Sequence, residues 1–437
     1  MKRNPFLLFA ILALSAAVMA VEVDTAAAQE KAPADTLLRL GDLLAETRAN
    51  NPRLRTAFLD AEALATKRSQ VSALPDPTVM FTWQPYPMLT GHGTQRTQLR
   101  AEQMFPFPGK LGLQGDMAEK TADVAQSQAE TLQLDLELRV KQAYYELYRI
   151  QQLHGLVDTF QETLRDFEDA ASTHYKVGTG AQQAILKAQL EKNSLTQIKL
   201  DLDERQRTAA EMLARLLNRP SSEQFGAAIR LERPSPPELS AAALFDLAVL
   251  QRPEIAGLDA EASRADAQIA LARKNYWPDF GVNVTYFDMA PAEMPPTATG
   301  RDALALGVSV KIPLQRGRLG ASLEEARVRR SQVMAKQEAL ETEFRTEIAD
   351  LLSQLEQQEE QMALFLETLI PQAETTLQAT ISDYTTGRTD FLNLLDSERM
   401  LFSLRTGYEN IFARYLKVTA ALERAIGVTS LAETELR

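Results

Sequence analysis

Four short stretches of this chain alternate apolar and polar residues with a period of two. Val79, Phe81 and Trp83 interleave with Thr78, Met80, Thr82 and Gln84. Leu99, Ala101 and Phe105 face away from Gln98, Arg100 and Glu102. Phe280, Val282, Val284 and Tyr286 stand opposite Gly281, Asn283 and Thr285. Leu304, Leu306, Val308, Val310 and Ile312 stand opposite Ala303, Ala305, Gly307, Ser309 and Lys311. Such alternation predicts strands over about 78–84, 97–105, 280–287 and 303–312, each with one apolar and one polar face.

The long tracts outside them carry the period of a helix. Residues 111–174 contain no proline; at 1.5 Å per residue this tract extends roughly 95 Å. Leu132, Leu136, Val140, Tyr144 and Leu147 form its apolar stripe, repeated 208 positions later by Leu340, Phe344, Ile348, Leu352 and Leu355. The last tract carries Leu394, Leu401, Tyr408 and Tyr415 every seven residues, with Leu404, Ile411 and Val418 between them, a spacing that imposes left-handed supercoiling on neighbours. Pro371 predicts a break in the third long tract, because it lacks an N–H and its ring meets the preceding turn.

The sequence is written twice. Asn51-Pro52 returns as Arg252-Pro253, Leu74-Pro75-Asp76 as Trp277-Pro278-Asp279, Lys110-Leu111-Gly112 as Arg318-Leu319-Gly320, and Tyr175 with Gly178 as Tyr384 with Gly387. A first repeat over 29–235 ends in a helical hairpin at about 111–217, and a second over 236–437 ends in one at about 318–427. Pro220, Pro234, Pro236 and Pro237 mark the connector.

Composition narrows the chemistry. Lys and Arg number 47 against 59 Asp and Glu, a net charge of −12, which argues against a nucleic-acid partner. With no cysteine, disulfides, thiol catalysis and a lipid-modified N-terminal Cys are excluded. His92, His154 and His174 show no metal-ligand spacing, and His92, Met88, Met289 and Met294 read as incidental loop residues rather than soft metal ligands. No catalytic constellation is visible, no cofactor is implied, and an enzyme is not expected. Residues 1–28 read as an export signal: Met1-Lys2-Arg3 is basic, 6–20 is apolar, and Ala26-Ala27-Ala28 offers a cleavage site, with Ala20 as the alternative. No later apolar run has spanning length, so any crossing by the mature chain must use strands.

Aromatic residues favour that crossing. Trp83, Tyr86, Tyr286 and Phe287 fall at the loop ends of the predicted strands, and Phe105, Phe107, Tyr276 and Trp277 at the helix ends, as membrane-interface girdles require. Pro75, Pro106, Pro278 and Pro313 punctuate the strand–helix junctions. Four strands cannot close a barrel, and open edges are not tolerated in hydrocarbon, so chains must pool their strands. Two chains give eight strands and a lumen filled by side chains; three give twelve and room for a passage.

The repeated Pro-Asp strand entry, the run Phe105-Pro106-Phe107-Pro108-Gly109-Lys110-Leu111, and the ending Tyr384 to Arg399 with Gly387, Asn393-Leu394-Leu395-Asp396 and Ser397-Glu398-Arg399 resemble the outer membrane efflux proteins, the TolC-like exit ducts. Pro75-Asp76-Pro77 and the Phe-Pro-Gly-Lys run are similar to its heavy-metal efflux branch. The resemblance implies a mainly α fold with a small membrane β part: a homotrimer with a twelve-stranded barrel in outer-membrane lipid and a helical tunnel in the periplasm. It implies two partners, a periplasmic adaptor (membrane fusion protein) and an inner-membrane pump of the RND type. Asp396, with Asn393 where the family often has an acid, is the implied pore constriction. Tyr384, Arg388 and Arg399 are the implied tip gate. Gly178, Gly180 and Gly387 turn the tips that meet the adaptor. Two other readings of the same residues are a periplasmic coiled-coil scaffold or adaptor, and the outer-membrane duct of a protein secretion system.

Overall fold

The computed structural model describes residues 37–430, apart from 179, 221–224, 229–230, 232–239, 294–295 and 297. The export signal, Pro234, Pro236, Pro237 and Met294 lie outside the described residues. Helices α1 (Leu40–Asn50), α2 (Pro52–Ala65) and α3 (Lys67–Ser72) lead into strands β1 (Thr78–Thr90) and β2 (Gly93–Phe105), then into α4 (Lys110–Lys176) and α5 (Gln182–Leu217). The order then recurs: α6 (Ala241–Gln251), α7 (Pro253–Lys274), β3 (Asp279–Ala290), β4 (Ala303–Lys311), α8 (Arg316–Leu364), a π-helical turn (Phe365–Leu369), α9 (Ile370–Thr385) and α10 (Phe391–Ile426).

The two proline-led helices start alike. Asn51 caps α2, its side-chain oxygen accepting from the Arg53 N–H at 3.0 Å, while its amide donates to the Leu216 carbonyl at 2.8 Å. Arg252, at the equivalent place before α7, donates to the Ala425 carbonyl at 3.1 Å and stacks its guanidinium over Phe344. Each repeat thus ties its entry helix to the C-terminal end of its own long hairpin.

The helical stripes bury as their spacing requires. Leu136, Val140, Tyr144 and Leu147 pack with Leu43, Leu54 and Leu213. Phe344, Ile348 and Leu355 pack with Tyr415, Leu416 and Leu422. Toward the hairpin tips, Phe160, Leu164 and Leu195 share a third core with Leu394 and Leu401. Ion pairs bridge the two repeats: Lys141 reaches Glu423 at 2.5 Å and Arg424 reaches Asp135 at 2.7 Å, while within the second repeat Arg424 also reaches Glu254 at 2.7 Å. Burial of Arg424 works against its charge, but the two carboxylates outweigh it and raise its pKa.

Two expectations need correction. The helix does not break at Pro371; it widens before it, into the π turn at 365–369, and resumes with Pro371 in the first turn of α9. The wider turn accommodates the missing proline donor without ending the rod. The first hairpin is also longer than 78–84 and 97–105, extending through Pro85 and Pro87 to a turn at Gly91-His92. The pairing of β1 with β2 lapses between Trp83 and Met88, so the two prolines, which lack an N–H, interrupt no bond of that ladder.

Candidate functional site

The four strands form one antiparallel sheet in the order β1-β2-β3-β4, leaving β1 and β4 as its outer edges. Register stacks the apolar residues into rows across it. Val79, Ala101, Val284 and Leu306 make one row, and Phe81, Leu99, Tyr286 and Leu304 the next. All eight are exposed. A contiguous exposed apolar face of this extent marks a surface meant for an apolar environment. At 13 residues each, β1 and β2 exceed the 9–11 that a tilted membrane strand needs.

The opposite face is polar and internally bonded. Arg100 pairs with Glu102 at 2.9 Å, and Ser309 donates to Glu102 at 3.2 Å. A Cβ on Gly281 would stand 2.3 Å from the Ser309 hydroxyl and 2.7 Å from the Met104 sulfur. The glycine therefore leaves room for larger side chains of β2 and β4 on this face. At the outer turns, the Gly300 N–H donates to the His92 carbonyl at 2.9 Å, tying the β3–β4 connection to the β1–β2 turn.

Phe105, Tyr276 and Trp277 stand at the strand–helix junction, whose geometry is well defined. Lys110 at the start of α4 donates to Asp279 at 2.8 Å and to the Trp277 carbonyl at 3.2 Å. Asp279 also accepts the Phe107 N–H at 2.8 Å, and the Phe107 and Trp277 rings stack with centroids 5.3 Å apart. Arg316 covers Tyr276, 5.4 Å from its ring centroid. Trp83 and Tyr86 differ from expectation: they lie within β1 rather than at its loop end, because the strand continues to Thr90. Tyr286 likewise falls inside β3, its hydroxyl donating to Asp302.

At the far end, α4 and α5 reverse through Gly178 (φ +79°), and α9 and α10 through Gly387 (φ +72°), a backbone region that suits glycine. Gly180 serves by close approach instead: a Cβ there would lie 2.9 Å from that of His174. Tyr384 fits between His174 and Phe391, ring centroids 5.4 and 5.9 Å away, and burial raises its phenol pKa. It joins the two hairpins of one protomer. Arg388 is held by Asp383 at 2.6 Å within its own turn, and Arg399 by Glu191 of α5, with Asp396 at 3.7 Å.

Asp390 caps α10 through the Asn393 N–H at 3.0 Å, and Asn393 donates to Thr389 at 3.0 Å. Asn393 and Asp396 are both exposed, the Asp396 side chain by 70%. Beside them lies a residue that sequence reasoning passed over. Glu398 is only 7% exposed, and its Oε2 has no hydrogen-bond partner. Its signal was its place in the apolar stripe, four residues after Leu394 and three before Leu401. Among the described residues, no cluster of His, Cys, Asp and Glu is arranged to hold a metal, and no helix is long and apolar enough to cross a membrane.

Residues 244–428 match the family described as outer membrane efflux protein. The chain is 20% identical over 322 residues to the cobalt-zinc-cadmium resistance protein CzcC of Cupriavidus metallidurans, covering 73% of this chain and 74% of that one. The fold of the chain is similar to that of solved outer-membrane channels. OprN superposes with a TM-score of 0.74 at 18% identity, over 89% of each chain. CusC superposes with a TM-score of 0.74 at 20% identity, over 89% of this chain and 92% of that one.

Proposed function

We propose that this protein is the outer-membrane exit duct of a tripartite efflux system. Three chains close a twelve-stranded barrel in outer-membrane lipid and continue it as a helical tunnel in the periplasm. The observation that carries this reading is the sheet itself. It exposes rows of Val, Leu, Phe and Tyr on one face, keeps Arg100, Glu102 and Ser309 on the other, and leaves two open edges. Such a sheet is viable in hydrocarbon only when closed by other copies, which puts the polar face around a lumen.

The duct performs no covalent step; it lowers the barrier for a hydrated solute by supplying a polar, water-filled path. Energy and selection come from an RND-type inner-membrane pump and a periplasmic adaptor that docks on the tips near Gly178, Gly180 and Gly387. The Asp396 carboxylates, exposed one turn into α10, ring the constriction and favour cations over anions. Tyr384, Arg388 and Arg399 hold the tip in its packed state. The likeness to CzcC supports divalent metal cations as cargo.

The test is expression of the full chain with its export signal, followed by fractionation and electrophoresis without heating. An outer-membrane trimer that conducts in planar bilayers is the expected result. Recovery as a soluble periplasmic monomer would reject the duct in favour of a coiled-coil scaffold. Loss of the gene should then sensitise cells to zinc, cobalt or cadmium; unchanged tolerance to all three would remove the metal cargo.

A further inference from the structure

The duplicated sequence makes each contact in one repeat a template for its counterpart, and within the hairpins the rule is met: Asn51 with the Leu216 carbonyl is matched by Arg252 with the Ala425 carbonyl. One contact set occurs only once. The junction after β2 meets the junction before β3 through the Lys110–Asp279 ion pair and the Phe107–Trp277 stack. The counterparts of these four residues are Arg318, Asp76, Leu314 and Leu74. They cannot complete the same junction within one chain, because Asp76 precedes β1 and Arg318 follows β4, at opposite edges of the sheet.

All four are exposed. Leu314 is 80% exposed and Leu74 51%, and neither the Asp76 nor the Arg318 side chain forms an ion pair or hydrogen bond among the described residues. Two large apolar residues and two opposite charges thus stand unpartnered at the two ends of a surface whose in-chain equivalent is filled.

We infer that Arg318 and Leu314 of one protomer dock on Asp76 and Leu74 of a second copy of this chain, reproducing between subunits the junction that Lys110 and Phe107 make with Asp279 and Trp277 inside one. This rests on the pooled-strand duct proposed above. The same equivalence sets the strand register of the seam. In the chain, Ala101 lies opposite Val284 and Leu99 opposite Tyr286; transferred, Val308 lies opposite Phe81 and Leu306 opposite Trp83 of the second copy. That alignment brings Lys311, the last residue of β4, opposite Thr78, the first of β1. It also sets apolar residues opposite one another across the seam, with the rows shifted by four residues from one copy to the next, since Val308, Leu306, Phe81 and Trp83 are all exposed on the apolar face. Opposite charges at Asp76 and Arg318 then fix the rotation of one subunit against the next, as a specific ion pair can.

The native chain has no cysteine, so thiols introduced at the junction are the only ones present. Leu74→Cys and Leu314→Cys, singly and together, should be treated with a short bifunctional thiol reagent in outer membranes. Trimerisation is read separately from unheated, untreated samples. The double variant should yield covalent dimers and trimers, and each single variant only monomer. A trimer whose double variant stays uncrosslinked overturns the junction while leaving the duct intact; a chain that is monomeric before treatment overturns both. Because a cysteine variant can fail to assemble, charge reversal provides an independent reading. Asp76→Arg and Arg318→Asp should each lower the temperature at which the trimer dissociates, and the two together should restore it. A double reversal no better than the single ones also overturns the pairing.

Discussion

The Phe365 ring lies against the backbone of Gly407: a Cβ on that glycine would stand 2.9 Å from the ring's Cε1. Phe365 opens the π turn that precedes Pro371, so the widened turn and the glycine of α10 fit as a pair. Gly407→Ala sets a helix-propensity gain of about 1 kcal/mol against an overpacking cost of about 2 kcal/mol. The expected result is a net loss of about 1 kcal/mol by thermal or denaturant unfolding, recovered when Phe365→Leu is added. Equal stability of Gly407→Ala and the native chain would show that the ring swings aside freely.

The Lys110–Asp279 pair joins the two repeats beneath the sheet, with the Lys110 side chain only 9% exposed. Asp279→Asn leaves that ammonium without its counter-charge, while the amide oxygen retains an acceptor for the Phe107 N–H. A loss of about 3 kcal/mol is expected, read as a lower dissociation temperature, with little change for Asp266→Asn, whose ion pair with Arg330 is exposed. Comparable effects of the two would mean that the junction does not depend on the buried pair.

Glu398 titrates the packing of the tip. Burial raises its carboxyl pKa above the ordinary 4.5, with Arg405 pulling weakly the other way. A group whose pKa is raised by folding favours the folded state below 4.5, and that contribution is lost as pH rises through the higher value. Glu398→Gln should therefore stabilise the protein at pH 7, with the gain shrinking as pH falls toward 4.5. Unfolding at a series of pH values reads this; a constant difference between the two proteins would remove Glu398 as the titrating group.

Asp396 is exposed, and its only neighbour of opposite charge is Arg399 at 3.7 Å among the described ion pairs. Asp396→Ala should lower the cation preference of the reconstituted duct and its block by multivalent cations, while stability stays within about 0.5 kcal/mol. Unchanged ion selectivity in planar bilayers would place the constriction elsewhere.

Much of the fold was legible because its two periods differ so sharply. Val282, Val284, Leu306 and Val308 could only be one face of a sheet, and Leu394 and Leu401 only a helical seam. The end of β1 was not legible: Pro85 and Pro87 read as a stop because sequence alone does not say that the β1–β2 ladder lapses between Trp83 and Met88 and then resumes. The outcome at Pro371 was hidden for a similar reason, since a proline signals a lost bond but not whether the helix ends or widens. At the tip, Tyr384, Arg388 and Arg399 were identifiable by resemblance, but their partners His174, Asp383 and Glu191 were not. Two of those three lie in the other hairpin, and the contacts depend on how the hairpins pack.

The two copies of the long helix have unequal stiffness. α4 runs 67 residues with a continuous helical ladder, whereas its counterpart is divided into 49 and 16 residues around a five-residue π turn. An unbroken rod spreads a bending moment along its whole length, while a rod with one loosened turn concentrates the strain there. Gene duplication has thus provided a strut and a jointed limb from one ancestral design, and the limb carries Tyr384 at its far end, just before the turn that leads to Asn393 and Asp396 of α10.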